Sequence, residues 1–398
     1  MKCSKCKADN KLKDRRDNDG KCSQCRQRFV FEPTSMGPVK LTDIAYEGFI
    51  DRVSASCTLK FTEKQLYYKI IKAKEKPANT VGCLVGLGVV LAFGCFSSST
   101  GSHPGLIFLG ILAGAFAAWA IWFALSKTDL KKSFPPVAAT DEQTAAGWLL
   151  HWCEVRGPLP GLIIDATNSE YQKQIKSGID QKALLLESLS RDQRPVEYPA
   201  ELTQYSFDRV VVTESQVIAE FLIGNNFHFE NNCAVLSIDG YPQKLFTTVM
   251  EMLRKNDQLK VFALHDARPK SLDLAHYLRT SPDWFLNQPG ATVYDIGLYP
   301  RQLMKTAVTR RKDPTIVNEL TRLKPEILAT LTAEEIRFFE KGLYYEVEVF
   351  SPQKLLRLIT VEIGKVRNSD TSIDSLSSDV LIAGSVIGSS TMPSDTFG

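Results

Sequence analysis

Four cysteines and three acidic residues carry the chemistry this sequence offers. Cys3-x-x-Cys6 and Cys22-x-x-Cys25 are separated by residues 7–21. That is the spacing of a tetrahedral Cys₄ site in which each pair supplies two thiolates from one tight turn. Four sulfurs leave no open coordination position, so the Zn2+ ion expected there is structural. Ten lysines and arginines against four aspartates crowd residues 1–28, where positive charge lowers thiolate pKa values and can reach phosphates. The acidic residues are Glu214, Asp239 and Asp266, which end the short apolar runs 209–213, 233–237 and 259–264. These runs alternate with helix-like segments, a pattern that argues for a parallel sheet with right-handed crossovers. Such sheets hold their working side chains at the carboxyl ends of the strands. Glu214, Asp239 and Asp266 are therefore expected to converge on one cleft, a candidate site for the hard cation Mg2+, with Glu214 and Asp266 as its ligands.

The elements that position these residues follow from composition and pattern. A chain of 398 residues holds two or three domains. The formal net charge of +3 is too small to imply nucleic acid by itself. Nine cysteines, four of them in two Cys-x-x-Cys pairs, fit a reducing compartment with a metal better than a disulfide scaffold. The chain opens on charged, cysteine-rich sequence, which is unlike a secretory signal peptide. The expected class is α/β. A zinc ribbon is expected over 1–32, a winged-helix or helix-turn-helix segment over 38–76, a transmembrane hairpin over 80–126, a parallel-sheet domain over 140–365 and a disordered tail over 366–398.

Within the second segment, Ile44, Ala45, Phe49 and Val53 form one apolar stripe. Thr62-Glu63-Lys64-Gln65 reads as a capping box, with Gln65 reaching back to the cap residue. Leu66, Tyr67, Ile70 and Ile71 make the buried face of the helix that follows. Tyr68 falls off that face, four residues from Lys64 on one side and Lys72 on the other. A phenol between two ammonium groups is placed to meet a phosphate, although an amphipathic surface tyrosine looks the same in sequence.

Residues 81–97 and 106–125 are apolar runs with no charged residue between Lys76 and Lys127, each near the ~20 residues of a spanning helix. Lysines flank both, which predicts a multi-pass protein of the inner membrane with both remaining parts cytoplasmic and the lipid bilayer as a partner. Farther on, a helix is expected over 141–155, where His151 reads as a packed or surface residue. The basic stretch 301–311 reads as a solvated helix face, with a phosphate-contacting patch as the alternative, Thr332 and Glu335 as another helix cap, and 345–349 as an edge strand. No P-loop and no internal repeat is evident.

Leu59-Lys60-Phe61-Thr62-Glu63-Lys64-Gln65-Leu66-Tyr67-Tyr68 resembles the winged-helix segment of the DNA topoisomerase VI A subunit and the related meiotic double-strand-break proteins. Glu214, Gly240-Tyr241-Pro242, Asp266-Ala267-Arg268-Pro269 and Gly297-Leu298-Tyr299-Pro300 resemble, in order, turns of that family's Toprim domain. Arg268 stands where the family has a second aspartate, and Lys270-Ser271 replaces its glycine turn. The resemblance implies that Tyr68 is a catalytic nucleophile, that Glu214 assists it, and that Glu214 and Asp266 bind Mg2+. It also implies DNA as substrate, a homodimer and a separate ATPase subunit. The resulting expectation is a membrane-anchored topoisomerase VI A-like protein that binds DNA and cleaves it. Alternatives are a non-catalytic DNA-binding or scaffold protein, and a zinc-ribbon membrane interaction or sensor module.

Overall fold

The computed structural model describes residues 1–37, 39–74, 142–164, 207–306 and 308–368. These belong to one compact unit, Met1–Lys74 with Val137–Gly398. In chain order the first elements are α1 (Leu12–Asp17), α2 (Asp43–Val53), β1 (Phe61–Thr62), α3 (Glu63–Lys74), α4 (Glu142–Arg156) and β2 (Leu162–Ile163). The sheet region holds β3 (Arg209–Thr213), α5 (Gln216–Gly224), α6 (Phe227–Glu230), β4 (Ala234–Ser237), α7 (Phe246–Arg254), β5 (Lys260–Leu264), α8 (Leu274–Thr280) and β6 (Thr292–Asp295). Then come α9 (Pro300–Leu303), β7 (Arg311–Lys312), α10 (Thr315–Thr321), α11 (Pro325–Leu328), α12 (Ala333–Glu340), β8 (Leu343–Tyr344) and α13 (Pro352–Asn368).

The central sheet has the order β4-β3-β5-β6, with every pair parallel. Val210 to Val212 and Val261 to Ala263 are fully buried. A parallel strand covered on both faces has no wet side to alternate toward, which is why its sequence reads as a continuous apolar run. Helix α5 packs on β3 and β4, and α8 on β5 and β6. The capping box at the start of α3 is present: Thr62 N–H donates to Gln65 Oε1 at 3.0 Å, and Gln65 N–H to Thr62 Oγ1 at 3.2 Å. Helix α3 is joined to the sheet region through Asn225, which accepts from Lys60 N–H at 2.9 Å and donates to Lys60 O at 3.1 Å.

Several expectations need correction. A winged helix needs an antiparallel hairpin as its wing. Here β1 is two residues long and pairs in parallel with β2, and no such hairpin accompanies α3 among the described residues. Residues 345–349 do not form an edge strand: β8 stops at Tyr344, and Val347–Val349 is a 3₁₀ turn. The stretch 301–311 is no solvated helix face, because Arg301 pairs with Glu335 and Arg311 with Glu142. Among the described residues no helix is long and apolar enough to cross a membrane. The apolar runs 81–97 and 106–125 lie outside the described residues, as does the tail from 369. The transmembrane hairpin, the inner-membrane localisation and the bilayer partner are accordingly not carried forward.

Candidate functional site

The cysteines form a closed cage. In the first knuckle Cys3 N–H donates to Ala8 O at 2.9 Å and Lys7 N–H to Cys3 O at 3.0 Å. The second knuckle repeats this, with Cys22 N–H to Gln27 O at 2.8 Å and Arg26 N–H to Cys22 O at 3.0 Å. Lys7 and Arg26 close the two turns with φ of 61° and 59°. The left-handed conformation is costly for a residue with a Cβ, and here it curls each turn so that both of its sulfurs face inward. Cys3 Sγ lies 3.6 Å from Cys25 Sγ, Cys6 Sγ lies 3.6 Å from Cys22 Sγ, and all four lie within 4.8 Å of one another. A tetrahedron with metal–sulfur bonds near 2.3 Å has edges of about 3.8 Å, so the four thiolates fit a metal ion and are consistent with a structural zinc site. Burial opposes ionisation of Cys22, yet donors from the Cys25 and Gln24 backbone and from Asn10 bring its thiol down to about 6. Among the described residues this is the only group of three or more Cys, His, Asp or Glu that could jointly hold a metal ion.

The ribbon is anchored by ion pairs, one half-buried and one buried. Arg15 clamps Glu32 with Nε and Nη2, both at 2.8 Å, and donates Nη1 to Asn10 O at 2.6 Å. Asp43, in the first turn of α2, is fully buried. Its carboxylate accepts from Val30 N–H and Phe31 N–H, each at 3.1 Å, and from Arg156 Nη2 at 2.7 Å. The same Arg156 nitrogen lies 3.3 Å from Ser4 Oγ inside the first knuckle. Phe31 then stacks on Trp152 and packs against Tyr46. The chain leaving the cage is thus tied at once to α2 and to the end of α4.

The acidic residues expected to bind Mg2+ meet a different fate. Glu214 and Asp266 do come together at the ends of β3 and β5, where Asp266 N–H donates to Glu214 Oε1 at 3.3 Å, whereas Asp239 is exposed. Asp266 is committed on its other side, its Oδ1 accepting from Val347 N–H at 2.6 Å. Burial, then Glu214 and Glu346, push its carboxyl well above the usual range. The positive charge that opposes this shift is the protein's own Lys64. Lys64 Nζ lies 2.6 Å from Glu346, 3.7 Å from Glu348 and 3.8 Å from Glu142. Despite burial, these carboxylates hold its pKa well above the ordinary lysine value. Thr62 Oγ1 donates to Glu348, and Arg311 Nη2 reaches Glu142 at 2.9 Å.

Tyr68 is sealed into this cluster. It is 3% exposed and its hydroxyl donates to Glu346 Oε2. Burial, then the Glu346 charge, push its phenol well above the ordinary tyrosine value. A buried phenol that is hard to ionise, with a carboxylate as its partner, is the reverse of an activated nucleophile. Arg268, two residues beyond Asp266, is engaged elsewhere. It pairs with Glu319 at 2.6 Å and Asp313 at 3.1 Å and lies over the Tyr344 ring.

Behind the strand ends, His265 is fully buried between two acceptors. Nδ1 lies 2.8 Å from Asp266 O, and Nε2 lies 2.9 Å from Asp295 Oδ1. A carbonyl and a carboxylate both require a donor, so the ring carries both protons. Burial opposes that charge, but Asp295 raises the imidazole to about 9, and His265 in turn brings Asp295 down to about 2. Tyr299 OH donates to the other Asp295 oxygen at 2.8 Å. Gly297 passes so close that an added Cβ would sit 2.3 Å from the imidazole. His151 is half exposed and faces Glu154 at 3.2 Å.

No protein-family profile matches the chain, and no curated protein matches it. The topoisomerase VI A resemblance, its Toprim and winged-helix assignments and the tyrosine–Mg2+ cleavage reading are therefore withdrawn. The homodimer and the ATPase subunit rested on that resemblance alone. Glu346, Glu348, Asp43, Arg156 and Asn10 escaped the sequence reading. The two knuckles are a near-repeat 19 residues apart, which corrects the expectation of no internal repeat, and it offered a signal for Asn10 alone.

Proposed function

We propose that this chain is a non-catalytic scaffold protein whose N-terminal ribbon, closed around a structural Zn2+ ion, serves as its interaction module. The observation that carries the reading is the four-sulfur cage, which leaves a metal no open position for substrate. Lys64 and Tyr68 support it, because the side chains that could have done chemistry are consumed as internal partners of Glu346. The rim of the ribbon bears exposed Lys2, Lys5, Lys7, Lys11, Lys13, Arg16, Lys21, Arg26 and Arg28, so its partner is acidic, and duplex DNA is the probe for it.

Two measurements test this on the full chain. Metal analysis should give one zinc per chain. Duplex binding followed by fluorescence anisotropy should weaken steeply with salt and fall at least tenfold in Lys5→Glu/Lys7→Glu/Arg26→Glu, as expected when about three phosphate contacts are lost. Zinc content should be unchanged in that variant, which shows that the ribbon still folds. Salt-independent binding, or equal binding by the variant, would remove the acidic-partner reading. A magnesium-dependent covalent adduct with DNA would remove the non-catalytic one.

A further inference from the structure

The two knuckles are near copies at an offset of 19 residues. Lys2-Cys3-Ser4-Lys5-Cys6 matches Lys21-Cys22-Ser23-Gln24-Cys25, each followed by a left-handed basic residue and closed by an antiparallel bridge, Lys2 to Asp9 and Lys21 to Arg28. Among the positions where the copies differ is the one after that bridge, where the first has Asn10 and the second Phe29. Phe29 packs against Cys3 and Cys22 as an apolar plug. Asn10 is fully buried and uses its amide on both knuckles. Its Nδ2 donates to Ala8 O at 3.0 Å in the first and to Cys22 Sγ at 3.5 Å in the second. Its Oδ1 accepts from Ser23 N–H at 2.8 Å and Ser23 Oγ at 3.0 Å. One planar group thus fixes the distance between two turns that share no backbone hydrogen bond through it, and its N–H draws charge from one ligand sulfur.

We propose that Asn10 is the positioning residue of the metal centre, orienting Cys22 against the first knuckle and bonding its thiolate. The proposal rests on reading the cage as a metal site, since an amide aimed at a sulfur has this role only when that sulfur is a ligand. Groups that orient ligands from outside the coordination sphere typically change metal affinity by about 10–100-fold. The other three sulfurs keep their surroundings when Asn10 is altered, so the effect is a weakened site with tetrahedral geometry retained.

The test titrates the full chain with Co2+ and, by competition, Zn2+. Wild type should give the intense visible bands of a tetrahedral tetrathiolate; their absence would overturn the metal reading itself, independently of Asn10. Asn10→Ala should bind zinc about 10–100-fold more weakly, with the thiolate-to-cobalt charge-transfer band moved to lower energy, because a sulfur without its hydrogen bond is easier to oxidise. Asn10→Asp preserves size but sets a carboxylate oxygen against Cys22 Sγ and Ala8 O, and should show the same band shift. It reads the hydrogen bond even where Asn10→Ala folds poorly. Phe29→Leu, the change at the matching position, alters packing and should leave the band in place. Wild-type affinity and an unshifted band in Asn10→Asp would overturn the positioning role.

Discussion

Lys64 sits among more negative charge than it can neutralise. Glu346, Glu348 and Glu142 all lie within 3.8 Å of its ammonium, and among the described residues Arg311 adds a second cation, paired with Glu142 and also lowering the Glu346 pKa. Burial, moderated by Lys64, raises Glu348 to about 7. Its folded pKa therefore lies above the unfolded value, so the fold holds the Glu348 proton more tightly. Stability from this group is largest at low pH and declines as pH rises from about 4.5 through about 7. Lys64→Met leaves Glu346 and Glu348 buried without their cation. At pH 8 urea denaturation should show a loss of about 3 kcal/mol, the lower end for breaking a buried pair because the ammonium is partly exposed. The gap should narrow toward pH 5 as the carboxylates take up protons. A constant gap across that range would mean that Lys64 acts by packing alone. None of this was legible in sequence, because Lys64 lies 282 residues from Glu346 and nothing local to α3 announces Glu346 or Glu348.

At the scale of elements, the parts whose physics is local were readable. Strands β3, β4 and β5 betray themselves by short apolar runs, β-branched in β3, and the caps at Thr62–Gln65 and Thr332–Glu335 form as the spacing requires. The segment after β8 was misread because Glu346-Val347-Glu348 alternates like a strand while its backbone answers to Asp266, which accepts from Val347 N–H. Tyr68 was misread for the same reason: helical periodicity describes one face, and a second face is buried by a remote segment. The link between β5 and β6 is also non-local, and it makes a prediction about pH. His265 is raised to about 9 and Asp295 lowered to about 2. The histidine contribution is whole below the unfolded value near 6.5 and is lost as pH climbs through about 9. The aspartate contribution is whole above 3.8 and is lost as pH falls through about 2. Asp295→Asn should cost about 3 kcal/mol or more near pH 6. It should cost much less near pH 10, where the wild-type imidazole has itself lost its proton. NMR of the His265 ring should show both nitrogens protonated at pH 7 in wild type and one in the variant.

For the molecule as a whole, the metal cage and the sheet are separate sources of order, and the cage is tied to helices α2 and α4 by a buried junction. The ribbon has a small apolar cluster of Cys3, Cys22 and Phe29, too little to hold residues 1–29 together without a metal, since very small domains usually need such a staple. The sheet strands, by contrast, bury whole runs of side chains. At that junction stands Asp43, which caps the Val30 and Phe31 amides and pairs with Arg156, while Arg156 touches Ser4 in the cage. Removing zinc should therefore unfold the molecule in part. Hydrogen exchange after chelation should show protection lost at the Cys3, Cys22 and Phe29 amides, weakened at Val30, Phe31 and the first turn of α2, and unchanged through Val210 to Val212 and Val261 to Ala263. Arg156→Gln should confine the response to the ribbon, because the guanidinium is the side-chain link that meets both the knuckle and α2. Uniform loss across the sheet on chelation would show one cooperative unit, and the ribbon could then not act as a module carried on an independent body.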